Sequence, residues 1–184
     1  MKKIFHYTKK LLNLLSIFLA IEATLAVLLS YYACFWVSHL YNFDLPVLAG
    51  LWGSLAASFV IAPLLSAAYR SAINRVIATL IGALSPMICL YIFGGYNIYG
   101  FGASIFLVIV LCSVTRAMHT YHTACITASV VYAVGLLIEP STAPWLNACS
   151  RFLETMVGIL ITLAISLSTH PIRQYLRSQG IESS

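Results

Sequence analysis

From Leu11 to Val37 the chain carries one formal charge, Glu22, and one further strongly polar side chain, Asn13. A helix needs about 20 apolar residues to cross the hydrocarbon core of a bilayer, so this run alone is long enough. Further runs of the same kind follow. With 61% hydrophobic and 8% charged residues and a mean hydropathy of +0.94, too little polar surface remains for a water-exposed body. In hydrocarbon every backbone amide must be satisfied inside its own segment, and long uncharged runs of Leu, Ile, Ala and Val achieve that as helices. The expected fold class is all-α: a polytopic membrane bundle of six transmembrane helices.

Residues 1–15, with Lys2, Lys3, Lys9 and Lys10, read as a basic cytoplasmic segment, residues 16–171 as the six-helix transmembrane domain, and residues 172–184 as a short cytoplasmic tail. A cleaved signal peptide would share the basic start, but this apolar run is too long for one and no small-residue cleavage site closes it. The spans expected within the domain are 16–38, 47–68 with Pro63 inside, 76–93 with Pro86 inside, 103–115, 123–138 and 151–171. Between them lie a polar turn at His39 to Pro46, a short loop from Tyr69 to Arg75, the flexible turn GGYNIYGFG, a break at Arg116 to His122 and a turn from Glu139 to Asn147. Lys and Arg in short loops stay cytoplasmic. Six crossings put the lysines, Arg70, Arg75, Arg116, Arg173 and Arg177 on one side, with Asp44 and Glu139 on the other. Both termini are then cytoplasmic in a multi-pass protein of the cell inner membrane. Arg151 alone breaks the pattern.

Arg151 and Glu154 stand one helical turn apart, so they can pair with each other or with a neighbouring helix. Thr155 and Gly158 continue that side. Arg75, Thr79 and Gly82 repeat the spacing of Arg151, Thr155 and Gly158. The third and sixth spans would run in opposite directions, which makes the repetition an inverted one, a layout that places a substrate site near the midplane in transporters.

RVIATLIGA after a short basic loop, and RFLETMVGILITLAISLSTHP closing the last span, resemble the two signature segments of the fusaric acid resistance and aromatic acid exporter family. The resemblance runs from about Leu45 to Pro171. It implies a bacterial six-span membrane unit that exports aromatic carboxylic acids or related small organic anions, with Arg75, Thr79, Gly82, Arg151, Glu154 and Gly158 at motif positions. Larger members add a soluble domain or a second six-span half. This sequence has neither, which points to a homodimer or to an accessory subunit of an efflux assembly.

Charges at membrane depth cost about 2.5 to 3.5 kcal/mol on insertion scales, so each is paired or functional. Glu22 is a candidate proton carrier, or a structural partner for Arg75. Arg151 offers a planar fork that fits a carboxylate, or it pairs with Glu154. Arg75 reads as an interfacial anchor, and Thr79, Gly82 and Gly158 as small residues that let helices approach closely. His119 and His122 could relay a proton, but two histidines make a poor metal site. The five cysteines, Cys34, Cys89, Cys112, Cys125 and Cys149, are scattered singly, with neither disulfide nor zinc spacing. No catalytic constellation, cofactor motif or metal motif is present, and the net charge of +5 serves topology rather than nucleic-acid binding. The lipid bilayer and a small organic anion are the expected partners. Two functions remain open: a proton-coupled exporter, and a non-transporting membrane subunit or scaffold.

Overall fold

A computed structural model describes residues 2–40, 46–137 and 144–181. Among them are six α-helices and no strand: α1 (Lys2–Leu40), α2 (Pro46–Val60), α3 (Leu65–Phe93), α4 (Ile98–Val114), α5 (Tyr121–Leu137) and α6 (Pro144–Ile181), with a 3-10 turn at Met118–Thr120. Three segments, Ser16–Leu40, Leu65–Phe93 and Trp145–Leu176, are long and apolar enough to cross a membrane, and α2 and α4 are shorter apolar helices. The expected turns around Asp44 and Glu139 lie outside the described residues.

The helix boundaries differ from the expected spans where proline and arginine were misjudged. Pro63 does not sit inside a span. It has no N–H to give and disfavours helical geometry in the residue before it, so α2 stops at Val60 and α3 starts two residues beyond Pro63. The expected loop from Tyr69 to Arg75 is instead part of α3. No Gly or Pro interrupts Leu65 to Ile81, and the helix keeps its polar residues by turning Arg70 outward and Arg75 inward, with the half-buried Asn74 held against His119. Pro86 does lie within its helix, as expected, and is buried. α3 ends on Gly94, which takes the left-handed conformation (φ 69°) and donates its N–H to Leu90 O at 3.0 Å. Asn97 then caps α4 through Oδ1, which accepts from Gly100 N at 2.7 Å. Only the first part of GGYNIYGFG is therefore a turn. At the other end of the chain α6 continues through Pro171 to Ile181.

Long-range contacts fix the helix directions. Glu22 of α1 meets Arg173 of α6, and Cys34 Sγ lies 3.5 Å from Glu154 O, so α1 and α6 are antiparallel. Gly158 approaches Gly53, while Arg173 reaches Ala62 O, so α2 runs with α6. Gly82 against Ala124 and His119 against Asn74 set α5 running with α3. α3 and α6 cross the centre antiparallel: Ala72 and Val76 pack near Ile159 and Leu163, and Leu80 and Met87 lie with Phe152. A Cβ on Gly82 would stand 2.4 Å from Ala124 O, and one on Gly158 would stand 2.4 Å from Gly53 O, so both glycines permit backbone contacts that alanine would block.

Candidate functional site

Five charged side chains of the long helices turn into the bundle. Glu22, Arg75, Arg151, Glu154 and Arg173 are each no more than 5% exposed, whereas Leu25, Leu28, Trp36, Leu80 and Leu160 face outward. That is the reverse of a soluble protein and the arrangement expected of a helix bundle bathed in lipid. The charges form two groups and leave one arginine alone.

In the first group Arg151 Nη2 lies 2.8 Å from Glu154 Oε1. The pair is close but poorly aligned: neither carboxylate oxygen of Glu154 receives a hydrogen bond, and Arg151 Nε and Nη1 are also unsatisfied. Thr155 contributes nothing to it, since its hydroxyl donates to Arg151 O at 2.8 Å, one turn back on the same helix. The second group ties three elements at one end of the bundle. Arg173 Nη2 pairs with Glu22 Oε1, which also accepts from Ser166 Oγ at 3.2 Å, and Arg173 Nη1 donates to Ala62 O at 2.7 Å and Pro63 O at 3.2 Å. The last two carbonyls follow the C-terminus of α2, where a cation is favoured. Glu22 is thus the partner of Arg173, not of Arg75.

Arg75 is the exception. Instead of anchoring at an interface it is 2% exposed in the middle of α3, with its guanidinium carbon 4.8 Å from the Phe59 ring centre and 5.4 Å from that of Trp52. Nε, Nη1 and Nη2 all lack a hydrogen-bond partner, and Trp52 Nε1 nearby is unsatisfied as well. Each cation–π contact is worth about 2 kcal/mol when desolvated. Burying an ion costs several kcal/mol, and each unmade hydrogen bond about 1 to 3 more. The aromatic rings therefore do not offset the burial, and the guanidinium stays short of hydrogen-bond partners in this arrangement. Thr79 is fully buried but donates back to Arg75 O at 2.9 Å.

The two histidines stay apart from all this. Both are exposed; His119 Nε2 lies 2.9 Å from Asn74 Oδ1, and the His122 ring lies 3.7 Å from that of Tyr121. Among the described residues no group of three or more His, Cys, Asp or Glu could hold a metal ion. Among the described residues, cavities along the helix seams include three of note. One of about 100 Å³ adjoins Arg173, Pro63, Phe18 and Leu19. A second of about 420 Å³ adjoins Asn97, Phe101, Ser129 and Tyr132. The third, about 310 Å³, lies between α3 and α6 at Ala83, Met87, Ala148 and Phe152. Arg75, Arg151 and Glu154 line none of these three, and each is buried among its neighbouring helices. Beside the second cavity, burial and the neighbouring Tyr132 raise the Tyr96 phenol above its ordinary value.

Of the polar and aromatic groups gathered here, the sequence singles out Glu22, Arg75, Arg151 and Glu154 as candidates but not Arg173, Ser166, Trp52 or Phe59. Ser166, Thr169 and Arg173 share a helix face by their spacing, a signal lost by ending the span at Pro171. Trp52 and Phe59 share one too, yet nothing in the sequence ties them to Arg75.

Apolar outer faces around inward-turned charges, with three helices long and apolar enough to span a bilayer, mark a multi-pass helical membrane protein. Residues 25–165 match the model of the fusaric acid resistance protein-like family, and the chain belongs to that family. No curated protein and no solved structure matches it.

Proposed function

We propose that the chain is a six-crossing inner-membrane transporter, with both termini cytoplasmic, that exports aromatic carboxylic acids or related small organic anions. The observation that carries this is Arg75: a buried guanidinium with three unsatisfied nitrogens, flanked by two aromatic faces. Its fork suits a carboxylate, and Trp52 and Phe59 offer an apolar, stackable wall to the rest of an aromatic acid. Arg151 takes a supporting part. A proton delivered to Glu154 would neutralise that carboxylate, free Arg151 from its partner and raise the positive potential within the bundle, which couples anion occupancy to a proton.

The competing role, a non-transporting membrane subunit or scaffold, draws support from the Glu22–Arg173 tie, which fastens α1, α6 and the α2–α3 junction together. Flux in reconstituted vesicles separates the two. With an aromatic carboxylate such as benzoate as probe, wild type should carry flux that rises with an imposed proton gradient. Arg75→Met should insert and fold normally but carry none. Folded wild-type protein without flux for a panel of such acids would favour the scaffold.

A further inference from the structure

We propose that α1–α3 and α4–α6 are two inverted copies of one three-helix unit, and that polar ties at opposite ends of the bundle are the alternating closures of its pathway. One tie is Glu22 with Arg173; the other joins Asn97, Gly100 and Tyr132. The pathway itself rests on the transport reading above.

Burial supports the repeat in each helix pair. α1 buries Glu22, Ala26, Ser30 and Cys34, and α4 buries Gly100, Ser104, Val108 and Cys112, in the same four-residue steps. α2 buries Gly53, Ala56, Ala57 and Val60, and α5 buries Ala124, Thr127, Ala128 and Val131, again at identical spacings. α3 buries Arg75, Thr79, Gly82 and Ala83 where α6 buries Arg151, Thr155, Gly158 and Ile159.

Contacts between helices obey the same correspondence. Gly82 stands 2.4 Å, at its would-be Cβ, from Ala124 O, and Gly158 stands 2.4 Å from Gly53 O; Ala124 and Gly53 are the paired positions of α5 and α2. Thr127 and Ala56, paired in the same way, are the next neighbours in each case. Across the antiparallel α3–α6 seam, Val76 packs near Met156 and Leu163, and its counterpart Phe152 lies with Leu80 and Met87, theirs. A two-fold axis across that seam relates the halves, and the axis of an inverted repeat lies in the membrane plane.

The same operation exchanges the two ties. Asn97 stands as far beyond Arg75 as Arg173 stands beyond Arg151, and Gly100 opens the buried series of α4 as Glu22 opens that of α1. Asn97 Oδ1 accepts from Gly100 N at 2.7 Å, and Arg173 pairs with Glu22. Asn97 N donates to the Tyr132 hydroxyl at 2.7 Å, near the end of α5, and Arg173 Nη1 donates to Ala62 O at 2.7 Å, just past the end of α2. One end is thus closed by an ion pair beside a cavity of about 100 Å³, and the other by neutral groups beside one of about 420 Å³. With Asn97 taken as the end of the first unit, each tie fastens the end of one unit to helices of the other. Opening an end requires its tie to part, while the symmetric seam lets the units rock without losing contact.

Hydrogen exchange on the full chain in lipid nanodiscs reads both ends without needing a substrate. Arg173→Gln should speed exchange several-fold across residues 60–66 and slow it across residues 94–101; Tyr132→Phe should do the opposite. Arg173→Lys keeps a cation for Glu22 and a donor for the Ala62 and Pro63 carbonyls, so it should stay close to the wild-type pattern, and protection of the α3–α6 seam in Arg173→Gln guards against that variant simply failing to fold. Variants that loosen only their own end, or both ends together, would overturn the proposal, as would an Arg173→Lys pattern like that of Arg173→Gln while the α3–α6 seam stays protected. Reciprocal exchange without organic-acid flux would leave the two closures standing and remove the transport reading; flux without reciprocity would do the reverse.

Discussion

Arg75 and Arg151 begin the same small motif, yet they live in different electrostatic circumstances because of one residue each. Three positions after Arg151 stands Glu154; three after Arg75 stands Ala78. The first arginine is therefore neutralised within its own helix and the second is not, and this asymmetry gives the residue-scale predictions. Arg75→Met removes a buried charge that has no counter-ion and leaves a shorter, unbranched apolar chain of similar volume, so thermal unfolding in detergent should show it as stable as wild type or up to about 4 kcal/mol more so, while flux is lost. Arg151→Ala strands Glu154 in the bundle. It should cost about 3 to 5 kcal/mol, with Arg151→Met/Glu154→Leu recovering most of that loss. A double variant as unstable as Arg151→Ala alone would mean that the charge pair is not what holds this part of α6.

At the scale of elements, the helices are held by close approach rather than by interlocking large side chains. Gly82 and Gly158 each sit where a methyl group would collide with a backbone oxygen, which cannot yield as a side chain can. Gly82→Ala and Gly158→Ala should therefore each lower stability by about 1 to 3 kcal/mol. Gly102→Ala, where a Cβ meets nothing within 4 Å, should leave the melting temperature unchanged or raise it. Equal effects at all three would contradict the packing described. The sequence was a good guide to which stretches are helical and a poor one to where the helices end. Pro63 and Pro86 look alike in sequence, each within an apolar run. Pro63 ends α2, while Pro86 is accommodated inside α3, and the choice depends on what surrounds them. Arg70, Asn74 and Arg75 suggested a loop because polar residues usually mark one. In a bundle, a polar residue that can turn inward need not interrupt a helix.

For the molecule as a whole, burial of its charges sets how it responds to solution conditions. Side chains of both ion pairs are at most 6% exposed, so mobile ions cannot come between them. Raising salt from about 0.05 to 1 M shortens the screening length to about 3 Å, which matters for surface pairs and little for these. The detergent melting temperature should accordingly vary little with salt. A marked fall would place the pairs in contact with water.

Apolar run length and charge placement were enough to determine that this chain is an all-helical membrane protein and to single out Glu22, Arg75, Arg151 and Glu154 as charges that a bilayer would force inward. Those properties follow from the cost of bare backbone and bare charge in hydrocarbon, a cost each segment bears by itself. Partnership was decided only by the tertiary structure: Glu22 with Arg173, Arg75 with two rings and no acid, Gly82 and Gly158 on matching carbonyls. Such pairs join residues distant in the chain. Which of them meet depends on the directions and depths at which six helices settle, and no local spacing records that.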